Sequence, residues 1–375
     1  MTRVDVTVRG AGAFGLSVAW ACLLRGARVR VVDPYGPGAG SSGGIVGALA
    51  PHVPENWNDK KAFQLDSLLM AADFWADVEA AGGVSAGYGR TGRLQPIADA
   101  RALELAQARG GTARELWRGQ AVWEVVAAPG GFAPVSPTGQ LIRDTLSARI
   151  HPRQACAALV AALQAREVEL VQEAADEGAV VWATGWQGLR DLSTTLGKPV
   201  GDGVKGQAAL LRWDAREAPQ LFVDGLHIVP HTDGTVAVGS TSEREFDTPD
   251  QVDEQVGDLV ARARRALPVL ESAEVLERWA GVRPRARSRA PLLDHEVVAW
   301  ACSLPVEHKL DGSNGKRILK SAFEDLVPVD LLYRPKQGFS IPLAAWFRGP
   351  LAEKMRAAVT GPVLADCGYF DTAYL

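Results

Sequence analysis

The N-terminal pattern of hydrophobic and polar positions predicts a strand, a helix and a second strand. Residues 4–8 alternate and are rich in β-branched side chains, which is typical of a strand. Residues 16–24 form an apolar helical stretch that ends near Gly26, and residues 28–32 form a second strand that ends at Asp33. This order predicts the first unit of an α/β sheet.

A glycine motif occupies the turn between the first predicted strand and the helix. Gly10, Gly12 and Gly15 have the spacing GxGxxG. The first glycine allows a tight turn, the second lets backbone N–H groups approach a pyrophosphate, and the third allows close packing of helix and strand. The helix N-terminus favours phosphate. Asp33 follows Gly15 by 18 residues, where a carboxylate can accept a hydrogen bond from a ribose hydroxyl. The sequence therefore predicts a dinucleotide site.

The segment after Asp33 helps to decide whether the dinucleotide is NAD or FAD. Residues 34–44 form a long glycine- and serine-rich loop. Such a loop can wrap an extended FAD, with backbone N–H groups and the hydroxyls of Ser41 and Ser42 as donors. The alternative is a flexible surface loop. Because no Cys or His lies beside the two serines, we expect FAD to be bound non-covalently.

Further motifs continue this pattern to residue 292. Residues 180–186 contain a strand that ends in Ala-Thr-Gly, and residues 227–241 predict a hairpin with an Asp-Gly turn between β-branched runs. Residues 88–94 and the Gly-Val-Arg-Pro segment at 281–284 complete the set. Together these segments resemble the FAD-dependent D-amino-acid oxidase, glycine oxidase and sarcosine oxidase family.

The resemblance implies an α/β fold in which a Rossmann-like FAD-binding domain is interleaved with an antiparallel-sheet substrate domain. FAD-binding parts are expected at residues 1–87, 151–200 and 281–292. Substrate-domain parts are expected at residues 88–150 and 201–280.

The resemblance also implies the residues of two sites. The FAD site would include Gly10, Gly12, Phe14, Gly15, Asp33, Ser41, Ser42, Gly47, Ala48, Ala183, Thr184, Gly185 and Trp186. The substrate site would include Arg283, His227 and Leu49. Arg283 would hold a substrate carboxylate, because a guanidinium can donate two hydrogen bonds to it. Two alternatives stay open: Arg283 belongs to a solvated run of arginines, or His227 is a structural residue. No catalytic side chain is assigned, since the flavin carries the chemistry.

A second resemblance begins after residue 292. Its motifs resemble the C-terminal end of asparagine synthetases and lie at residues 315–320, 332–339 and 342–346. Apolar side chains recur at helical spacing over residues 318–326, so we expect residues 293–375 to form a helical tail.

The junction between the two resemblances lies at residues 289–293, Arg-Ala-Pro-Leu-Leu, which fit both families. The ratio of arginine to lysine changes at the same place. Residues 1–290 contain 27 Arg and 4 Lys, whereas residues 291–375 contain 4 Arg and 5 Lys. The sequence therefore predicts a chimera.

The expected function is oxidation of a small amine or amino acid by hydride transfer to flavin N5. One alternative is a chimera that binds FAD but turns over poorly, because the family's C-terminal flavin cap is missing. A remnant of an ATP-dependent asparagine synthetase is less favoured. The nucleotide-gripping loop is absent, and Thr2 stands where the glutaminase cysteine should be.

Length, composition and charge limit the class of protein to which the chain can belong. A length of 375 residues favours two domains, and 47% hydrophobic with 22% charged residues is typical of a globular protein. A net charge of −4 argues against a nucleic-acid partner. The apolar run at residues 11–24 is too short to span a bilayer, and no signal peptide is expected. Neither the four cysteines nor the six histidines have the spacing of metal ligands. We expect a cytoplasmic protein, and its oligomeric state stays open.

Overall fold

The computed structural model describes residues 4–287, 310–311 and 314–315. The predicted helix over residues 318–326 and the other motifs of the tail lie outside the described residues. The chain divides into two compact units, residues 1–302 and residues 303–375.

The described elements have the following bounds. The strands are β1 (Val6–Arg9), β2 (Val29–Val32), β3 (Ala48–Leu49), β4 (Arg93–Pro96), β5 (Trp123–Ala127), β6 (Gln140–Asp144), β7 (Ala148–Arg149), β8 (Glu169–Val171), β9 (Ala179–Trp182), β10 (Gly201–Arg212), β11 (Gln220–Val223), β12 (Leu226–Pro230), β13 (Thr235–Gly239), β14 (Val275–Ala286), β15 (Leu310–Asp311) and β16 (Asn314–Gly315). The helices are α1 (Ala13–Leu24), α2 (Asp59–Gly82), α3 (Ala100–Leu116), α4 (Pro152–Gln164), α5 (Gly185–Thr195) and α6 (Gln255–Ala266). In the second unit, β15 pairs with β16 in antiparallel fashion.

A parallel sheet in the order β8-β2-β1-β9 forms one layer of the first unit. Its core combines Val8 and Val31 of the strands with Leu16 and Trp20 of α1 and Leu159 of α4. Because β1 and β2 are parallel neighbours joined through α1, this layer is the Rossmann-like part that the sequence predicts.

The predicted elements of this layer are present with shifted ends. α1 begins at Ala13, inside the glycine motif, instead of at residue 16. The strand predicted within residues 180–186 ends at Trp182, and α5 begins at Gly185. Gly185 has a φ of +67°, which turns the chain out of the strand and into the helix.

A larger sheet of eight strands forms the second layer, in the order β14-β10-β13-β12-β11-β4-β6-β5. Its pairs are antiparallel except for β11 with β4, which is parallel. Helix α6 covers one face and buries Val256, Leu259 and Ala263 against Leu211 and Val238. The predicted interleaving of two layers is confirmed.

The predicted hairpin is formed by β12 and β13. Its turn contains Asp233 and Gly234, and Gly234 has a φ of +82°. The Asp233 carboxylate accepts a hydrogen bond from the N–H of Thr235, at 3.1 Å. The register places His227 opposite Gly239 at the far end of the hairpin.

A short strand pair outside the two sheets is attached to the larger one. Strand β3 pairs with β7, and the side-chain amide of Gln220, at the start of β11, donates to the carbonyl oxygens of Leu49 and Ala148 at 2.9 and 2.8 Å. This amide fixes the segment after the serine-glycine loop to the larger sheet.

Strand β14 crosses the segment boundary that the sequence places at residue 281. It stays paired with β10 up to the pair Gly201 and Ala286, five residues beyond the boundary expected at residue 281. All the expected segment boundaries, including this one, stay predictions. Across residues 4–287, no helix combines the length and the hydropathy that a membrane crossing requires.

A buried ion pair in the larger sheet generates a stability prediction. Asp144 is fully buried and accepts hydrogen bonds from Nε of Arg93, at 2.9 Å, and from the N–H of Ser147, at 2.7 Å. Asp144→Ala would leave the buried Arg93 without a counter-charge. We expect a loss of about 3–5 kcal/mol in the free energy of unfolding, measured by urea denaturation.

Glu124→Ala is the matched control. Glu124 pairs with Arg143 on the neighbouring strand, but both side chains are about half exposed. Exposed pairs contribute up to about 1 kcal/mol. Equal losses in the two variants would contradict the role assigned to Asp144.

Candidate functional site

The glycine turn and the end of β9 meet at backbone contact distance. An added Cβ at Gly10 would lie 2.3 Å from the carbonyl oxygen of Ala183, and one at Gly15 would lie 1.9 Å from the carbonyl oxygen of Gly10. Only glycine fits at these two positions. The structure thus brings together three residues that the sequence assigned to the FAD site.

Ser42 contacts the start of α1. Its Oγ accepts a hydrogen bond from the N–H of Ala13, at 2.9 Å, and an added Cβ at Gly12 would lie 3.1 Å from the same atom. The serine-glycine loop is therefore packed on the helix N-terminus rather than detached from it.

Asp33 holds the glycine turn from the end of β2. One carboxylate oxygen accepts from the N–H of Ala11 at 2.7 Å, and the other accepts from the N–H of Tyr35 at 2.9 Å. An ionised carboxylate has about four acceptor positions. Asp33 therefore retains capacity for a further donor, such as a ribose hydroxyl.

The remaining residues assigned to the FAD site fall into two groups. Phe14 is 65% exposed beside the glycine turn, and Thr184 is the N-cap of α5. Trp186, in contrast, packs within the protein: its ring centroid lies 6.0 Å from that of Phe246, and the Arg190 guanidinium lies 4.5 Å from its ring centroid. Trp186 also lies against β10, since an added Cβ at Gly203 would lie 3.1 Å from its ring, and its assignment to the FAD site stays a prediction.

A cavity of about 220 Å³ lies between the serine-glycine loop and the larger sheet. Its walls are Ser41, Gly44, Val46, Ala48, Gly206, Ala208, His227, Gly239, Ser240, Trp279, Gly281 and Arg283. The cavity brings together Ser41 and Ala48, assigned to the FAD site, with His227 and Arg283, assigned to the substrate site. Leu49 does not line it and packs in the neighbouring hydrophobic core.

Arg283 presents its guanidinium at this cavity. In the part of the chain that the structure describes, it forms no ion pair, and Nη2 donates to the carbonyl oxygen of Thr241 at 3.2 Å. Arg285 follows on the same strand but does not line the cavity. Arg283 lines the cavity and is also exposed, so its site role and the alternative of a solvated arginine run both stay predictions.

His227 is a neutral wall of the cavity. Its ring lies 4.7 Å from that of Phe222, and its Nδ1 is buried without a partner among the described residues. Burial, with the nearby charges of Arg93 and Arg283, lowers the pKa of His227 to about 4. The imidazole is therefore uncharged near neutral pH and can either donate or accept a hydrogen bond.

Trp279 and Ser240 are among the wall residues that were not assigned from the sequence. Trp279 lies on the same face of β14 as Gly281 and Arg283, because side chains two residues apart share a face. That alternation could have identified it. Ser240 follows β13, and its place at the cavity depends on the pairing of β13 with its neighbours, which sequence spacing alone does not reveal.

A buried histidine holds the loop that forms one wall. His231 is fully buried, and its Nε2 donates to the carbonyl oxygen of Ile45 at 2.8 Å, since a carbonyl can only accept. Its ring lies 4.4 Å from that of His151. Burial, and then His151, lower the pKa of His231 to about 4.

Comparison with known proteins assigns the family. The FAD dependent oxidoreductase family model matches residues 5–307, so the chain belongs to this family and FAD is its cofactor. An asparagine synthase model matches residues 285–375. Both predicted resemblances are confirmed, and the two matches overlap across the predicted junction at residues 289–293.

Individual proteins are similar either to the oxidoreductase part of the chain or to its asparagine-synthetase-like part. A putative thiamine biosynthesis oxidoreductase ThiO of Rhizobium etli is 28% identical over 303 residues, covering 78% of this chain and 87% of that protein. A putative asparagine synthetase of Mycobacterium bovis is 43% identical over 72 residues, covering 19% of this chain and 11% of that protein. The chain thus spans about a tenth of the synthetase.

A solved structure shows the same fold. The crystal structure of glycine oxidase from Geobacillus kaustophilus aligns with a TM-score of 0.64 at 20% identity, covering 92% of this chain and 98% of that chain. The predicted fold class is therefore confirmed for the described residues.

The buried histidines generate a pH prediction. Because the pKa of His231 falls from about 6.5 in the unfolded chain to about 4 in the folded protein, the unfolded state binds more protons between these values. The free energy of unfolding should therefore decrease as the pH falls through this range.

His231→Gln tests this contribution, because the glutamine amide can still donate to the Ile45 carbonyl. We expect its stability to fall less steeply than that of the wild type, by about 1.4 kcal/mol per pH unit in the middle of the range. Urea unfolding at a series of pH values measures the difference. Parallel curves would remove His231 as the source.

Proposed function

We propose that this chain oxidises a small amine or amino acid with non-covalently bound FAD. The observation that carries the proposal is the cavity in which Arg283 and His227 face Ser41 and Ala48. When bound, FAD supplies the oxidising chemistry by taking a hydride from the carbon that carries the nitrogen.

The chain's residues fit an extended dinucleotide. The close approaches at Gly10 and Gly15 leave the turn before α1 free of side chains, and Ser42 packs on the same helix N-terminus. Backbone N–H groups there would hold the pyrophosphate, and the free acceptor capacity of Asp33 would bind the ribose.

The cavity walls would orient a substrate that carries a carboxylate. The guanidinium of Arg283 would bind the carboxylate by two hydrogen bonds. Neutral His227 would hydrogen-bond the amine, and its low pKa keeps it from adding charge beside Arg283. Trp279 lines the cavity, and a volume of about 220 Å³ favours small substrates.

A second candidate is a chain that binds FAD but turns over poorly. The match of residues 285–375 to asparagine synthase favours it, since this segment would stand where the family's C-terminal flavin cap is expected. A flavin-to-protein ratio near one with slow amine oxidation would support this candidate. Rapid oxidation would exclude it.

The cofactor site predicts the effect of one glycine variant. Gly12→Val would place a side chain where the pyrophosphate approaches, so we expect the purified protein to lose its flavin absorbance. Gly111→Val is the matched control, because an added Cβ at Gly111 meets nothing within 4 Å. Retained flavin in Gly12→Val would contradict the assignment.

The substrate site predicts the effect of an arginine variant. Arg283→Ala should raise KM for amino acids roughly 10- to 150-fold, because a hydrogen bond to a charged group contributes about 1.5–3 kcal/mol. FAD content should not change.

Arg285→Ala is the control for this variant. Arg285 lies on the same strand and does not line the cavity. Its KM should stay near that of the wild type. If Arg283→Ala behaves like Arg285→Ala, Arg283 does not bind substrate.

A further inference from the structure

The segment that follows β13 contributes two groups to the cavity region. Ser240 lines the cavity, and the carbonyl oxygen of Thr241 accepts the hydrogen bond from Arg283. We infer that the Glu243 carboxylate fixes this segment and is thereby a positioning residue for Arg283. The inference rests on the carboxylate-binding role proposed for Arg283.

Backbone hydrogen bonds tie the segment to β10 beyond the end of the regular sheet. The N–H of Thr241 donates to the carbonyl oxygen of Gln207 at 3.2 Å. Lys205 and Glu243 exchange two backbone hydrogen bonds, each of 2.9 Å. The segment therefore has a defined register against residues 205–207 although it is not a strand.

The Glu243 carboxylate gathers three donors at the centre of this register. One oxygen accepts from the hydroxyl of Thr241 and from Nε2 of Gln207, the latter at 3.1 Å. The other oxygen lies 3.7 Å from Nζ of Lys205. The hydroxyl of Thr241 in turn accepts from the N–H of Gln207 at 2.8 Å.

The ion pair is shielded from solvent. The side chain of Lys205 is 5% exposed and that of Glu243 is 14% exposed. Removal of one charge would leave the other buried without its partner, which strongly disfavours the native arrangement. The segment therefore depends on Glu243 more than a surface loop would depend on an exposed carboxylate.

Gly206 connects this cluster to the cavity. An added Cβ at Gly206 would lie 3.2 Å from the carbonyl oxygen of Thr241, and 3.4 Å from both Nη2 of Arg283 and Oγ of Ser240. Gly206 lines the cavity, whereas Lys205 and Gln207 do not. Because successive residues of a strand point to opposite faces, β10 separates the Glu243 cluster from the cavity.

A shift of Thr241 would therefore reach the cavity without any contact between Glu243 and substrate. The guanidinium of Arg283 would lose the acceptor that sets its orientation. We expect weaker binding of carboxylates and an unchanged affinity for neutral ligands of the same size.

Acetate and acetamide are suitable probes, since they share a shape and differ in charge. Their dissociation constants are measured on the FAD-loaded full chain from the perturbation of the flavin absorbance spectrum. Glu243→Gln should weaken acetate binding roughly 2- to 13-fold, the effect of losing one hydrogen bond. Acetamide binding should not change.

Two threonine variants keep the test valid if Glu243→Gln folds poorly. Thr241→Val removes the hydroxyl that contacts Glu243 but keeps the backbone carbonyl, and it should weaken acetate binding in the same way. Thr241→Ser keeps the hydroxyl and should restore wild-type affinity. A purely structural role for Glu243 would not produce this selectivity for acetate over acetamide.

Glu55→Gln is the matched control. It breaks the partly buried pair of Glu55 with Arg109, whose side chains are 34% and 19% exposed and do not line the cavity. It should change the stability of the protein and leave both dissociation constants unchanged.

Arg283→Ala in the same titration separates the two proposals. If it weakens acetate binding while Glu243→Gln and Thr241→Val do not, the positioning role is overturned and the proposed function stands. If Arg283→Ala leaves acetate binding unchanged, the proposed function fails, and the inference that rests on it fails too.

Discussion

The contact between the glycine turn and the end of β9 is the constraint on which the candidate site depends. An added Cβ at Gly10 would lie 2.3 Å from the Ala183 carbonyl oxygen, so the two chain segments meet through backbone alone. This contact places the N-termini of α1 and α5 at the same edge of the parallel sheet. At α1 the N–H of Ala13 already donates to Ser42 Oγ, so the remaining N–H groups of this turn would be the ones that face a pyrophosphate.

The cavity depends on a second constraint, the attachment of the serine-glycine loop to the larger sheet. His231 binds the Ile45 carbonyl, and Gln220 binds the carbonyls of Leu49 and Ala148. These buried side chains thereby attach the loop and the β3–β7 pair to the larger sheet. As a result, the loop that would contact FAD and the sheet that carries Arg283 form opposite walls of a single space.

The site residues that the sequence could propose are those that local geometry defines. The spacing of Gly10, Gly12 and Gly15 is a property of one turn, and the family motif around Arg283 is a short stretch of one strand. Ser240 and the Glu243 cluster depend instead on how an irregular segment pairs with β10, and no local pattern encodes that register. Trp186 follows the Ala-Thr-Gly motif directly, and its packing against Phe246 depends on a segment about 60 residues further along the chain, which the motif does not encode.

The interleaving of the two layers also has a consequence for how the chain folds. Strand β1 pairs with β9, and Thr7 donates to the carbonyl oxygen of Glu177 across 170 residues of sequence. Strand β10 likewise needs β14 before its edge is covered. Because the paired strands lie far apart in sequence, neither layer can be completed on the ribosome until most of residues 4–286 have emerged. Contacts of long sequence separation also slow folding. During that interval the edges of β1 and β10 are open to incorrect pairing, and protection of these edges by chaperones would matter more than it does for a chain whose domains follow one another.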